Sequence, residues 1–225
     1  MTQLSFQINC TFQAQPRIVF NWRQPVWEVD IWTVNLDGTN LRQLTRGGSS
    51  LLPKRSPDGT RIVFSSARSF RVMNFDGTEQ RIGFSQGQTP ASWTGDGEKI
   101  VFCEENHLTV INASGGSSVR LAEDFGSLGC EAPVWSPDDH EIAFSRRGDI
   151  WRIGADGTGL TRLAVGGDYA YASYSSDGNS IIFHSGSTSL QPAERARIMD
   201  VDGGNLRPFA ALLGIGVQQL RWWQP

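Results

Sequence analysis

The stretch GFSQG, Gly83 to Gly87, matches the G-x-S-x-G pattern in which a strand-to-helix elbow exposes a nucleophilic serine. Here Ser85 falls at the exit of a short apolar strand with no helix pattern behind it, so the match reads as a coincidence. His107, His140 and His184 show no H-E-x-x-H spacing, and Cys10, Cys103 and Cys130 make no C-x-x-C. Neither set has the spacing of a zinc site. Two acids, Glu131 and Asp168, occupy related places in the chain. A carboxylate pair can serve as acid and nucleophile in glycoside cleavage, or hold a cation. The matching stretches SLLPKR, QTPAS and VQQLRW contain no acid, so the set lacks a third, orienting carboxylate. Metal, cofactor and catalytic residues are therefore not expected.

Those residues must be positioned by a repeat. The pattern RIVFN at Arg17 returns as RIVFS at Arg61, KIVFC at Lys99, EIAFS at Glu141 and SIIFH at Ser180, with phenylalanines at 20, 64, 102, 144 and 183. The spacing matches a propeller blade of four strands. Each run is apolar at three successive positions, as suits a strand covered on both faces. A second strand follows as DIWTVN, SFRVMN, HLTVIN, DIWRIG and ARIMDV, then a turn as LDGT, FDGT, ASGG, ADGT and VDGG. Asp-Gly tolerates positive φ and is a hairpin signal. A third strand carries Arg42, Arg81, Arg120, Arg162 or Arg207, a charge that would blunt an outer edge against pairing. A further strand runs into PKRSPDG, ASWTGDG, PVWSPDD, ASYSSDG and finally LRWWQP, where Ser-Pro-Asp-Gly presets a tight turn. TGDG and SSDG lose the proline, at Gly95 and Ser176, which should weaken those turns without disturbing the register.

These motifs resemble the repeats of the TolB-like β-propellers, approximately W-S-P-D-G, an I-x-F strand, D-I-y-x-M, then D-G-s and R-L-T, over residues 11 to 225. The resemblance implies an all-β fold, a propeller of four-stranded antiparallel blades in a single domain, 1–225. Units start near 11, 55, 93, 135 and 174. Five copies of each strand type favour five blades, with six as the alternative. The C-terminal strand 218–223 is expected to complete the first blade and close the ring. LSFQINC, Leu4 to Cys10, stays unplaced, either as that inner strand instead or as an extra outer one.

Composition excludes several classes of partner. The 225 residues are 39% apolar and carry a formal charge of -3, with an isoelectric point near 5.6. The longest cationic run is Arg146-Arg147, so a nucleic-acid surface is not expected. No segment approaches the roughly 20 apolar residues of a membrane span, and the N-terminus lacks the pattern of a signal peptide. The chain is expected to be soluble. The compartment stays open, periplasmic if the resemblance extends that far. Three cysteines cannot form a disulfide framework. Cys103 and Cys130 fall at the same end of adjacent units, where a bridge is conceivable and free thiols are the expectation.

The two ends of such a propeller differ. Short SPDG and DGT turns make one end, and Asp37, Asp58, Asp76, Asp156 and Asp177 read as turn formers there. Variable connections make the other end, and variable loops on a rigid scaffold carry binding. That end gathers Trp22, Arg23, Trp27, Arg68, His107, Arg146, Arg147, Tyr169, Tyr171 and Arg195, types enriched at binding hot spots. Trp93, Trp135 and Trp223 hold a repeat position and read as structural. The expected function is a non-enzymatic scaffold for protein or peptide recognition through the variable-loop end, since the resemblance implies docking of envelope proteins in bacteria. The alternative is a carbohydrate-binding or glycoside-processing propeller using channel acids. The chain is also compatible with one domain of a larger multidomain protein.

Overall fold

The computed structural model describes residues 17–23, 28–67, 69–79, 81–85, 90–104, 107–122, 129–186 and 195–209. These residues contain strands and turns, with no helix and hence none long and apolar enough to cross a membrane. Among the described residues nineteen strands form five antiparallel sheets. Blade 1 holds β1 (Arg17–Arg23), β2 (Val29–Asn35) and β3 (Arg42–Gln43). Blade 2 holds β4 (Ser50–Arg55), β5 (Arg61–Ser66), β6 (Ser69–Asn74) and β7 (Arg81–Ser85). Blade 3 holds β8 (Ser92–Trp93), β9 (Lys99–Glu104), β10 (His107–Asn112) and β11 (Ser118–Ala122). Blade 4 holds β12 (Glu131–Trp135), β13 (Glu141–Arg146), β14 (Asp149–Gly154) and β15 (Thr161–Ala164). Blade 5 holds β16 (Tyr169–Tyr174), β17 (Ser180–Ser185), β18 (Ala196–Asp200) and β19 (Arg207–Pro208). In blades 2 to 5 the strands pair in sequence order. The repeat arginines all lie on the last strand of their sheet, as the sequence predicts.

The core lies between blades. Ile31 of blade 1 packs with Ile62, Phe64 and Met73 of blade 2. Val63 and Phe70 of blade 2 meet Trp93, Ile100, Phe102 and Ile111 of blade 3. Val101, Leu108 and Val110 of blade 3 meet Trp135, Ile142, Phe144 and Ile153 of blade 4. Ala143 and Ile150 of blade 4 meet Tyr174, Ile181, Phe183 and Met199 of blade 5. Alternate residues of the I-x-F runs in blades 2 to 4 thus face opposite neighbours, which is why those runs are continuously apolar. Among the described residues no apolar cluster joins blade 5 to blade 1. The expected strand 218–223, Trp223 within it, and the stretch Leu4 to Cys10 lie outside the described residues.

Turn chemistry explains the recurrent polar residues. In the SPDG-type turns Ser56, Thr94, Ser136 and Ser175 donate their hydroxyls to Asp58, Asp96, Asp138 and Asp177. The same hydroxyls accept backbone N–H groups five residues on, at 2.9 to 3.0 Å. Asp37, Asp76 and Asp156 likewise accept from Thr39, Thr78 and Thr158. These hydrogen bonds favour the charged form and hold all seven carboxyls below the usual carboxylate range. Turn formation is therefore the role of the Asp residues that the sequence assigned to it.

The loss of proline at Gly95 and Ser176 leaves the register of those turns undisturbed, as expected. Gly97 N–H donates to Thr94 O at 2.9 Å and Gly178 N–H to Ser175 O at 3.0 Å, as Gly59 does to Ser56 in the proline-bearing turn. The Gly95 N–H, which a proline would lack, donates to both carboxylate oxygens of Asp139 at 2.8 and 2.9 Å. Asp139 stands where the other SPDG-type turns have glycine, and it takes a φ of 60°. Two departures from the repeat, one in blade 3 and one in blade 4, thus make a single bond between blades.

The free-thiol expectation is overturned. Cys103 and Cys130 form a disulfide with a Cα–Cα distance of 5.7 Å. Cys103 on β9 and Cys130 just before β12 are brought together because the blade 3–blade 4 core holds both, at 2% and 3% exposure.

Candidate functional site

The first strands of blades 2 to 5, β4, β8, β12 and β16, line one cleft of about 490 Å³, which identifies them as the channel-side strands. Its walls include Pro57, Pro90, Pro133 and Pro137, the repeat aromatics Trp93, Trp135 and Tyr174, and the exposed Tyr171. Pro57, Gly95, Pro137, Asp139 and Ser176 belong to SPDG-type turns, so the cleft reaches the turn end of the channel. Prolines suit this wall: they present apolar rings and no N–H groups on strand edges that nothing pairs.

Tyr171 is placed by a bulge. The β16–β17 register shifts between Ala170 and Ser173, and Tyr171 takes a φ of 58°. Leu52 in β4 and Ala132 in β12 sit at the corresponding bulges with φ of 54° and 46°. A left-handed conformation is unfavourable for a bulky residue and points to a constraint of the site. The result is a tyrosine 55% exposed on a buried strand.

Trp93 and Trp135 are structural, as predicted, at 7% and 5% exposure. The Trp93 indole N–H donates to the Lys54 carbonyl across the blade 2–blade 3 joint at 3.1 Å. Burial pushes the Tyr174 hydroxyl pKa up, reinforced by the nearby charge of Glu141. The acid lining the cleft is Asp139, whose carboxylate is engaged by Gly95. Glu131 and Asp168 are exposed and do not border it. Among the described residues no group of three or more His, Cys, Asp or Glu could hold a metal ion.

The loop-end residues divide. Trp22, 47% exposed at the end of β1, meets Trp32 edge to face at 5.2 Å, and Arg23 and Arg147 are exposed. Tyr169 is instead a core residue, 8% exposed and 4.8 Å from the Phe183 ring. Arg146 lies over Trp151 at 5.4 Å. His107 and Arg195 are half-buried at the starts of β10 and β18. Trp27 and Arg68 lie outside the described residues. Ser85 lies on β7, the last strand of blade 2, consistent with a coincidental motif.

Sequence reasoning missed two buried acids at one repeat position. Asp30, 1% exposed, accepts from Thr45, Gln43 and the Gly48 N–H. Asp149 pairs with Arg162 at 2.6 Å and accepts from the Gly166 N–H. Both tie the second repeat strand to the outer strand and its exit loop. The D-I-W triplet shared by blades 1 and 4 was the available signal.

A crystal structure of TolB from Acinetobacter baumannii superposes on 86% of this chain with a TM-score of 0.71 at 19% identity, covering 52% of that chain. The chain has the TolB-like β-propeller fold. A structure assigned as TolB from Agrobacterium tumefaciens gives a TM-score of 0.65 at 19% identity, over 86% of this chain and 80% of that one. Oligogalacturonate lyase in complex with manganese gives 0.60 at 14% identity, over 86% and 73%, a likeness of fold alone. In sequence, a protein TolB homolog of Chlorobium luteolum is 32% identical over 146 residues, 59% of this chain and 33% of its own length. An uncharacterized protein of Agrobacterium fabrum is 26% identical over 192 residues, 76% of this chain and 64% of its own. This chain thus spans less than two thirds of the length of either relative. No family model matches it.

Proposed function

We propose that this chain is a non-enzymatic propeller scaffold that recognises a protein or peptide. The observation that carries this reading is Tyr171, an exposed aromatic held in a left-handed bulge over a cleft walled by prolines and tryptophans. A cleft of about 490 Å³ has the size of a site for a few residues of extended chain. Tyrosine provides a large amphipathic contact at low entropic cost. The loop end, favoured by the sequence, keeps Trp22, Arg23 and Arg147 as a second exposed set, but Tyr169 and Arg146 are committed to packing. The channel cleft is accordingly the primary site and the loop end its flank. Among the described residues the one acid lining the cleft, Asp139, is held by a backbone N–H, and that argues against an acid and base pair for glycoside chemistry there.

Selection of a displayed random-peptide library on the full chain tests this. Tyr171→Ala should weaken selected peptides by about 30-fold, the cost of an interface anchor of roughly 2 kcal/mol, with the melting temperature unchanged. Binding indifferent to Tyr171 and lost on Trp22→Ala would move the site to the loop end. Turnover of oligogalacturonate or an aryl glycoside, abolished by Glu131→Gln or Asp168→Asn, would replace the scaffold reading by an enzyme.

A further inference from the structure

We infer that the Cys103–Cys130 bridge is a covalent lock made during folding, so that this chain matures where thiols are oxidised. The joint between blades 3 and 4 is fastened at both ends. At the turn end the Asp139 carboxylate grips the Gly95 N–H with both oxygens. At the opposite end the disulfide joins the end of β9 to the residue before β12. The two fastenings flank the channel-side strands β8 and β12, which floor the middle of the cleft.

The surroundings make the bridge structural and chemically inert once formed. Both sulfurs belong to residues at most 3% exposed, packed with Val101, Leu108 and Phe144. The Cys130 sulfur lies 3.5 Å from the His107 carbonyl oxygen, so β10 closes over it. An attacking thiolate cannot reach such a bond without opening the joint. Formation must therefore precede or accompany closure of the joint. Two thiols release two protons and two electrons. The acceptor is a disulfide, glutathione disulfide or that of a thiol oxidoreductase, which leaves as two thiols. Cytosolic thiol pools oppose that transfer, and oxidising compartments drive it. A buried pair of free thiols in the same place would carry no such requirement.

The test uses the full chain, refolded once in a mixture of glutathione and its disulfide and once under excess dithiothreitol. After denaturation and alkylation, the first preparation should take one label, at Cys10, and the second three. The bridge closes a segment with a sequence separation of 27. Chain-entropy reasoning for a loop of that length places the oxidised protein's melting temperature about 10 °C above the reduced one. Cys10→Ser should preserve that gap. Cys103→Ala with Cys130→Ala should abolish it, and reduced wild type supplies the same comparison if that variant does not fold. Three labels in the oxidised preparation, a bridge mapping to Cys10, or equal melting temperatures would overturn the inference.

Discussion

In blade 4, Ile142 and Phe144 of EIAFS are fully buried against blade 3, whereas Ile18, at the place of Ile142 in the RIVFN of blade 1, is 47% exposed. The turns differ in the same sense. A Cβ on Gly157 of blade 4 would lie 2.5 Å from the Leu121 carbonyl of blade 3, while one on Gly38 of blade 1 would meet nothing within 4 Å. Leu36 is 58% exposed, and its counterpart Ala155 packs into the blade 3–blade 4 core. Both blades carry the same strand and turn pattern. The contrast shows that the pattern makes a face capable of burial, while burial itself comes from the preceding blade, as in other repeat architectures.

Deleting the same ring in both blades should give the largest difference between them. Phe144→Ala removes a fully buried side chain and should cost about 3–5 kcal/mol. Phe20→Ala, in half-buried β1, should cost about 1–2 kcal/mol, because less apolar surface returns to water. Urea midpoints with unchanged slope would measure both. Equal costs would mean that blade 1 is covered in solution as fully as blade 4.

Two of the joints between blades differ in their turn contacts. At the blade 2–blade 3 joint a Cβ on Gly97 would sit 3.6 Å from the Pro57 ring, the repeat's own contact. At the blade 3–blade 4 joint Gly95 and Asp139 replace that pair with a charge-assisted bond. Gly95→Pro deletes the donor and returns the exposed carboxylate to water, and should cost about 1 kcal/mol. Asp139→Gly alone should cost about 1 kcal/mol, since glycine accepts the left-handed conformation that Asp139 adopts. The double variant recreates the repeat contact, so the two changes should cost less together than their sum. Strict additivity in thermal melts would show the two departures to be independent.

Much of the scaffold was legible in the sequence because its signals are local. Ser-Pro-Asp-Gly, Asp-Gly-Thr and the I-x-F runs each specify a turn or strand within a few residues, and the structure forms those turns and strands. The disulfide was legible only as a conceivable pairing of Cys103 with Cys130, since its formation depends on how closely two blades approach. Tyr169 and Tyr171 show a subtler limit. Two residues apart on one strand, they should share a face, but the bulge between Ala170 and Ser173 breaks the alternation. One tyrosine enters the core and the other enters the cleft. Bulges at Leu52 and Ala132 mark the same device in blades with smaller residues, and nothing in the residue types announces it.

The smallest expected effect lies in acid and separates the turns of blade 2 from its core. The Asp58 pKa is pulled down to about 2, chiefly by the Ser56 hydroxyl, then by the Thr60 hydroxyl and N–H, against a small opposing effect of burial. An unfolded aspartate titrates near 3.9. A carboxyl whose folded pKa is depressed gives stability that is complete above the unfolded value and is lost as pH falls through the folded one. The window is therefore pH 4 down to about 2, and stability falls across it. Asp58→Asn keeps an acceptor oxygen for Ser56 and Thr60 without a titrating proton, so the variant should melt with a shallower acid slope. Because Asp58 is exposed and solvent screens its charge, the difference should amount to about 1–2 °C in melting temperature between pH 4 and pH 2. A slope identical to wild type would assign the acid sensitivity of the propeller to its other turns. A slope steeper than wild type would contradict the direction of the shift itself.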